Sequence, residues 1–473
     1  MSDVATMARP SRIDMSLLDD LVAVAAGTRE PDDEHRRHAS ARAFVDWLGC
    51  ALGGAAHPIR EVMEQYVTPG QVGPQAPGGA SLVASPSRVH PALAAMYNGT
   101  VSHVLDFDDV NPAMTGHPGV VVFSTLLALA ESTGATLDQV IDAAPYGYSA
   151  AELLGLRVNP EHYEQGWHAT GTLGAIAAAV AGSRLLELPA DAARTAIAAS
   201  ASRTALRAAF GSHGKALNVG RAAEAAVEAC LLSAAGLELP GEVLTGSSGY
   251  LALLGAAGPR SSTARSAPMD DTPLLPRAIH RSGFKLHAAC GGTHSTIEAV
   301  ARLAREQSIT PEQVERIEVT VHPTAVQAAS KVDPMTPLDA KFSLQHLAAL
   351  AMFRYPIQVD AFEHGVFDAA PVLALREHVT VTVDESFVYD QAMPASVRIL
   401  TKDGGQFDIH VGKPKGRPAD PLTDQELVGK ALALATSALP GHARDELSRL
   451  LWLVLRAEPC ALDDLVATVT TGR

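Results

Sequence analysis

The run GTLGAIAAAVAGSRLLEL, residues 171–188, decides the fold class more than any other stretch of the chain. It is long enough for a helix, and apolar residues cover most of its circumference, which is typical of a helix buried on several sides. Its alanines and glycines also permit neighbouring helices to approach closely. We therefore expect a core of closely packed helices around this segment.

Comparable runs lie on both sides of residues 171–188 and predict helix after helix between about residue 35 and about residue 265. One of them ends at a glycine pair, as helices commonly do. The runs are ARAFVDWLGCALGG (41–54), GVVVFSTLLALAEST (119–133), LDQVIDAAPYGYSAAELLGL (137–156) and GRAAEAAVEACLLSAAG (220–236).

The pattern changes after residues 258–278, which are rich in proline, serine and charge and read as a linker or surface excursion. After one more helical segment, alternating and β-branched residues predict strands, and a DGG turn in the last of these segments predicts a hairpin. The segments are VERIEVTVHP (314–323), HVTVTVDESF (378–387) and SVRILTKDGGQFDIHV (396–411). Helical pattern then returns, with Thr423 and Glu426 in the spacing of a capping box.

This order of patterns predicts a mainly α protein with two structural units. Residues 1–278 and 416–473 are expected to form a large, discontinuous all-helical domain. Residues 279–415 are expected to form a smaller α+β domain between its two parts.

Composition restricts the partners and the location. The net charge of −15 and the pI of about 5.6 argue against nucleic acid and anionic membrane as partners. The N-terminal stretch has neither a basic start nor an apolar core, so we expect a soluble cytoplasmic protein. The four cysteines lie far apart without a CxxC pair, so neither a metal nor another cofactor is expected.

Titratable residues are concentrated in HVLDFDDVNPAMTGHPG, residues 103–119. Such a loop can bind a metal ion, move protons on a substrate, or join two helices through solvent. Its DFDD lacks the spacing and the distal glutamate of a calcium loop. If the preceding helix continued, Asp106 and Asp109 would share a face. His117 precedes Pro118 at an expected helix start, where anions can be met.

Further candidates lie at other loops. His168 and Thr170 stand at an expected helix start, where amides and hydroxyls can hold a carboxylate or simply cap the helix. Residues 192–223 contain no aspartate or glutamate, which indicates a basic site or a solvated basic face, and we expect a helix to start near Asn218. The basic residues of this stretch are Arg194, Arg203, Arg207, Lys215 and Arg221.

Lys285 and Cys290 lie just after the proposed linker, in GFKLHAACGGTHSTIEA. Reactive residue types beside a domain boundary favour a cleft lined by both domains. No motif supports thiol catalysis at Cys290.

Taken together, these segments resemble the MmgE/PrpD family over nearly the whole chain, from about residue 15 to about residue 440. The resemblance rests on motifs that occur in order: NGTVSHVLDFDD with HPG, WHATGTLGA, GSHGKALNVGRAA, FKLHAAC and DAKFSLQHLAA, followed by GKPKGRPADPLT. The family includes 2-methylcitrate dehydratases, cis-aconitate decarboxylases and iminodisuccinate epimerases.

The resemblance implies a homodimer in which a helical domain carries an α+β lid, and a site without metal or cofactor that holds a di- or tricarboxylate substrate. By motif match, the catalytic residues are Asp106, His117, His168, Lys215 and Lys285. The candidate substrate-binding residues are Thr170, Arg203, Arg207, His213 and Cys290.

Three departures from the family pattern concern the site. Val110 stands where threonine is common, the stretch to HPG is one residue longer, and Cys290 stands where decarboxylases can carry histidine. The glutamate that often precedes the glycine-aromatic pair is also missing from TGSSGY.

The function expected first is a cofactor-independent hydro-lyase that acts on a 2-methylcitrate-like tricarboxylate by proton abstraction alpha to a carboxylate. Lysines near that carboxylate would stabilise an enolate-like transition state, and histidine would carry the proton. Three alternatives stay open: decarboxylation of an unsaturated tricarboxylate such as cis-aconitate, epimerisation of a dicarboxylate such as iminodisuccinate, and a catalytically degenerate ligand-binding paralogue.

Overall fold

The computed structural model describes residues 16–27, 33–70, 78–256, 277–362, 365–387 and 393–471. Most of the proposed linker at 258–278 lies outside these residues. The helices that precede it are α1 (Ser16–Ala26), α2 (Asp33–Gly54), α3 (Ile59–Val67), α4 (Pro91–His103), α5 (Pro118–Thr133), α6 (Leu137–Val158), α7 (Glu161–Glu164), α8 (Ala169–Leu185), α9 (Ala190–Ser200), α10 (His213–Ala234) and α11 (Glu242–Thr245).

Helix α8, which contains most of the segment 171–188, lies at the centre of the helical part. Nearly all of its residues are buried, and α5, α6, α9 and α10 pack around it. Helix α10 begins at His213, where the Ser212 side chain accepts from the amide of Gly214. The expected start near Asn218 is therefore wrong, because a serine cap six residues earlier already satisfies the first turn.

Helices α4 and α10 touch at two glycines. A Cβ on Gly220 would lie 2.3 Å from the Met96 carbonyl oxygen, and one on Gly99 would lie 3.1 Å from the Gly220 Cα. Only glycine permits this approach. The contact brings the C-terminal end of α4, at His103, towards the first turn of α10.

The helical part also contains a short ribbon, so the expectation that it is all-helical needs a correction. Strand β1 (Ala80–Ser81) pairs antiparallel with β2 (Arg88–Val89). Glu131 holds the ribbon, since it accepts from the Ser81 amide at 2.9 Å and from Arg88 at 2.7 Å.

The later part of the chain forms a four-stranded mixed sheet in the order β4-β3-β5-β6, with β3–β4 parallel and the other pairs antiparallel. Helices α12 and α15 pack against it. The strands are β3 (Val314–Val321), β4 (Val379–Val383), β5 (Ala395–Thr401) and β6 (Gln406–Val411). The helices of this part are α12 (His294–Glu306), α13 (Pro323–Ala328), α14 (Pro337–Ala340), α15 (Leu344–Met352) and α16 (Ala370–Arg376).

The chain ends in α17 (Asp424–Leu434), α18 (Gly441–Leu455) and α19 (Leu462–Thr471). Helix α17 has the expected capping box of Thr423 and Glu426 and packs on α2, where Lys430 pairs with Asp46 at 2.7 Å. The fold class, a helical domain with a smaller α+β domain, is confirmed. The boundaries near residues 278 and 415 stay predictions. Among the described helices, none is long and apolar enough to cross a membrane.

Candidate active site

The turn that follows α4 presents the aspartates of the DFDD motif. Asp106 adopts a left-handed backbone conformation with φ 53°, which aspartate tolerates better than most residues. Its amide donates to the His103 carbonyl at 2.9 Å. Because α4 ends at His103, the expectation that Asp106 and Asp109 share a helix face is wrong. Asp109 turns instead to Tyr148, which donates to it at 2.5 Å.

Asp106 is the centre of a buried ion cluster. Its Oδ1 accepts from Lys215 Nζ and from Lys285 Nζ, both at 2.7 Å. Burial alone would raise the pKa of Asp106, but the two ammonium groups hold that pKa well below its usual range. Asp106 is therefore a carboxylate. Its Oδ2 is buried without a hydrogen-bond partner in the described part of the chain.

His103 links this cluster to a second aspartate. Its Nδ1 donates to Asp108 Oδ2 at 2.9 Å, and its Nε2 accepts from Lys215 Nζ at 2.9 Å. Burial lowers the pKa of His103, so the ring is neutral and can accept at Nε2. The chain of contacts from Asp108 through His103 orients the Lys215 ammonium.

His117 presents an unprotonated nitrogen to the pocket. Its Nδ1 lies 2.7 Å from the Asp109 carbonyl oxygen and 3.2 Å from Asp108 Oδ2. Because both neighbours can only accept, the proton is assigned to Nδ1 and the lone pair to Nε2. Burial lowers the pKa of His117 to about 4. The ring is thus a neutral base at physiological pH.

His168 and Thr170 enter the site from the start of α8. The Asn218 side-chain NH2 lies 3.4 Å from His168 Nδ1 and can donate to it. The ring proton of His168 is therefore assigned to Nε2. His168 Nε2 is buried without a partner among the described residues, and burial lowers the pKa of this ring well below its usual value. Thr170 Oγ1 accepts from the His117 amide at 3.1 Å and so fixes the entrance of α5.

These groups surround one small pocket between the helical part and the α+β part. Lys215 and Arg417 contribute positive charge to its wall, and Arg417 also donates to the Gly291 carbonyl at 3.3 Å. The cavity volume is about 60 Å³. Apolar side chains also line the pocket: Val110, Phe210, Cys290, Ala328, Phe342 and Met393.

Four donor groups beside the pocket lie close enough together to hold a metal ion, with their ligand atoms within 4.8 Å of one another. They are His103, Asp106, Asp108 and His117. However, Asp106 Oδ1 already accepts from two ammonium groups at 2.7 Å, so a divalent cation bound to the same oxygen would be repelled by two nearby positive charges. These side chains are therefore better suited to pair with lysine ammonium groups than to hold a metal ion.

Both halves of the chain match one family. Residues 19–261 match the MmgE/PrpD N-terminal domain, and residues 287–452 match the MmgE/PrpD C-terminal domain. The chain belongs to the MmgE/PrpD family.

Curated relatives of this MmgE/PrpD protein carry the name of one activity. The cis-aconitate decarboxylase-like protein oryM of Aspergillus oryzae is 25% identical over 90% of this chain and 91% of its own length. Cis-aconitate decarboxylase of Homo sapiens is 24% identical over 89% and 88% of the two chains. Cis-aconitate decarboxylase of Aspergillus terreus is 24% identical over 83% and 84%. The family and these relatives support a lyase.

The structure brings most of the motif-matched residues together. Asp106, His117, His168 and Lys215 line the pocket, as do Thr170 and Cys290. Lys285 lies behind Asp106, which it contacts through both the side chain and the carbonyl oxygen. Convergence is therefore observed, while the catalytic roles of these residues stay predictions.

Three predicted substrate-binding residues are placed elsewhere. Arg203 pairs with Glu224 at 3.3 Å, outside the pocket wall. Arg207 stacks on the Tyr163 ring at 4.3 Å and donates to a backbone carbonyl at 3.1 Å. His213 is exposed beside His57. The absence of acids between 192 and 223 had suggested that the arginines are available to a substrate. Residues outside that stretch contact them instead, Glu224 at Arg203 and Tyr163 at Arg207.

Other residues of the site were not predicted from the sequence. His103 and Asp108 lie in the DFDD segment itself, and their five-residue separation across a helix end gave no sign of contact. Arg417 lies in the GKPKGRPADPLT motif, which aided recognition of the family but suggested no role. Lys341 lies in DAKFSLQHLAA and is buried beside the cluster. A buried lysine is unusual enough to have a function, but burial cannot be read from the sequence.

Proposed function

We propose that this MmgE/PrpD protein is a cofactor-independent hydro-lyase that acts on a 2-methylcitrate-like tricarboxylate. The observation that carries the proposal is the neutral His117, whose Nε2 carries the lone pair and lies 3.7 Å from Asp106 Oδ1, in the wall of a pocket that also contains Lys215 and Arg417. A base beside fixed cations suits proton abstraction alpha to a carboxylate, because the cations stabilise the charge that develops.

Substrate binding depends on the excess of positive charge at the pocket. Asp106 and Asp108 supply two negative charges, and their pKa values are both held well below the usual range, mainly by lysines for Asp106 and by histidines for Asp108, against the effect of burial. Lys215, Lys285 and Arg417 outnumber them. In our proposal, Lys215 and Arg417 receive substrate carboxylates, while Lys285 balances the charge of Asp106.

The proposed chemistry uses one histidine as the proton carrier. His117 Nε2 removes the proton alpha to a carboxylate, and Lys215 stabilises the enolate-like charge. The β-hydroxyl then leaves with the proton that His117 has taken, so a C–H and a C–O bond break, a C=C bond forms, and water departs. His168 donates a hydrogen bond from Nε2 to the leaving oxygen. His117 returns to its neutral form without any other reactant.

The apolar wall supports a substrate that carries an alkyl group. Val110 and Cys290 flank Gly291, and Met393 contacts the neighbouring Gly292. A methyl substituent against this wall gains hydrophobic free energy, about 0.8 kcal/mol for each buried methylene-sized group.

Decarboxylation of an unsaturated tricarboxylate is the second candidate, and the names of the relatives favour it. Loss of carbon dioxide also leaves charge beside a carboxylate, so the same cations would serve. The carbanion left by the loss of carbon dioxide would then have to take a proton from protonated His117.

One experiment separates these proposals. The protein is incubated with 2-methylcitrate, citrate, cis-aconitate and epimerisable dicarboxylates, while water loss, carbon dioxide release and deuterium incorporation are followed. We expect water loss, with 2-methylcitrate preferred over citrate, and we expect Val110→Thr to reduce this preference. Carbon dioxide release from cis-aconitate without dehydration would favour the second candidate. Deuterium incorporation alone would indicate an epimerase, and binding without turnover would favour the ligand-binding paralogue.

A further inference from the structure

Three successive backbone carbonyls around Asp106 each accept from the Nζ of a different lysine. The bonds are short and the three lysines are largely buried. The pairs are Lys341 Nζ with the Leu105 oxygen at 2.6 Å, Lys285 Nζ with the Asp106 oxygen at 2.8 Å, and Lys430 Nζ with the Phe107 oxygen at 2.7 Å.

The three lysines come from distant parts of the chain. Lys285 precedes α12, Lys341 directly follows α14, and Lys430 lies in α17. Two of them also lie over aromatic rings, since Lys341 Nζ is 4.8 Å from the Phe362 centroid and Lys430 Nζ is 4.0 Å from that of Phe107. Burying an ammonium is costly without hydrogen-bond acceptors, and the carbonyls supply those acceptors.

We propose that these lysines form a carbonyl clamp that positions Asp106 for the reaction, and that Lys341 is a positioning residue within it. The clamp consists of Lys285, Lys341 and Lys430. Each bond fixes the direction of one carbonyl, and together they hold the left-handed backbone at Asp106. That backbone directs Oδ1 to Lys215, whose ammonium is assigned to a substrate carboxylate, so the clamp acts on the reaction through the position of Lys215.

Lys341 is the member of the clamp that can be tested separately. Lys285 also contacts the Asp106 side chain, and Lys430 also pairs with Asp46, so replacing either changes more than one interaction. Lys341 does not belong to the pocket wall, and its ammonium donates to the Leu105 carbonyl. A change at this residue should therefore act on the substrate through Asp106, by way of the Leu105 carbonyl and of the charge near the Asp106 carboxylate, and not by direct contact.

The test compares Lys341→Met with Lys341→Arg, which keeps charge and donors. Lys402→Met is the matched control, because Lys402 also donates to a carbonyl, that of Glu312 at 2.6 Å, but at an exposed position. The kinetic measurement rests on the proposed function, whereas ligand-free crystal structures of each variant do not. Those structures give the Asp106 φ angle and the distance from Asp106 to Lys215 directly.

We expect Lys341→Met to move Asp106 out of the left-handed region and to lower kcat about tenfold or more, with KM changed less than about threefold. Lys341→Arg should restore most of kcat, and Lys402→Met should behave as wild type. An unchanged Asp106 with kcat within about twofold of wild type would overturn the proposal, as would a rise in KM alone.

Two further outcomes are covered by the same design. If Lys341→Met does not fold, Lys341→Leu takes its place, because it also removes the donor and keeps an apolar side chain, and the same thresholds apply. If wild-type protein turns over none of the tricarboxylates, the proposed function fails. The crystal structures then decide the clamp alone, through the Asp106 conformation.

Discussion

Lys215 donates from Nζ to Oδ1 of Asp106 at 2.7 Å, although the two residues are 109 positions apart in the chain. The bond joins the first turn of α10 to the turn that follows α4. It is possible because α4 and α10 approach closely at Gly99 and Gly220. The central ion pair of the site is therefore a consequence of helix packing.

Lys215→Ala should both raise KM and lower kcat. The ammonium lines the pocket, and the charge on a bound carboxylate grows in the transition state, so its loss affects both quantities. We expect kcat/KM to fall about a hundredfold or more in steady-state assays. Lys402→Ala, at an exposed lysine, serves as the control. An unchanged KM would contradict a role in substrate binding.

The low pKa of His117 predicts the acid limb of the rate profile. Because burial lowers this pKa to about 4, the ring remains a base until the pH falls towards 4, whereas an ordinary histidine becomes protonated near 6.5. We expect kcat/KM to stay level between pH 7 and about pH 5.5. A loss of rate centred between pH 6 and 7 that disappears in His117→Gln would contradict the assignment.

The same pKa shift of His117 also affects stability. An unfolded chain binds a proton at this histidine near pH 6.5, before the folded protein does at about 4. The contribution of this group to folding is therefore complete above pH 6.5 and is lost as the pH falls towards 4. Urea titrations at pH 7 and pH 5 should show a smaller pH dependence in His117→Gln than in wild type.

His168→Ala should mainly lower kcat. The Nε2 of His168 has no partner among the described residues and is assigned to the leaving oxygen, whose charge appears only in the transition state. Steady-state kinetics should show kcat reduced about tenfold to a thousandfold, with KM close to wild type. A large rise in KM at unchanged kcat would show that His168 binds a substrate carboxylate instead.

Activity should survive chelation. The ammonium groups of Lys215 and Lys285 already neutralise Asp106, the carboxylate at the centre of the four-residue donor cluster. Dialysis against EDTA should leave the rate within error of the untreated protein. Loss of turnover that a divalent ion restores would revive a metal site at His103, Asp108 and His117.

The family resemblance predicts a homodimer. Sedimentation velocity at micromolar protein should show one species of about twice the mass of the 49.4 kDa chain. A monomer under these conditions, with full activity, would contradict this prediction.

Much of the fold was predictable because its signals are local. Apolar runs such as 171–188 and 119–133 predicted buried helices. Alternation with β-branched residues predicted the strands at 314–321 and 379–383. Thr423 and Glu426 marked a helix start by their spacing. One local prediction was wrong: α10 was expected to begin near Asn218, but it begins at His213 after the Ser212 cap.

The site was predictable only in part. Family motifs indicated Asp106, His117, His168 and Lys215, which line one pocket. Arg203 and Arg207 seemed equally suitable by charge, but each is engaged outside the pocket wall. Lys341 and Arg417 lie within motifs of the family, but nothing in the sequence indicated which groups they contact. A basic residue type does not reveal which acid or carbonyl it will reach.

By itself, the sequence determined the fold class, the family and the residue types available for catalysis, because periodicity, capping and motif order depend on neighbours in the chain. Tertiary structure decided which cations reach Asp106, where the proton of His117 lies, and which carbonyls the clamp lysines engage. These properties depend on burial and on distances of a few ångströms, which for the lysine contacts join residues more than a hundred positions apart. Electrostatic interactions and desolvation act through space, so their outcome exists only once the helices have packed.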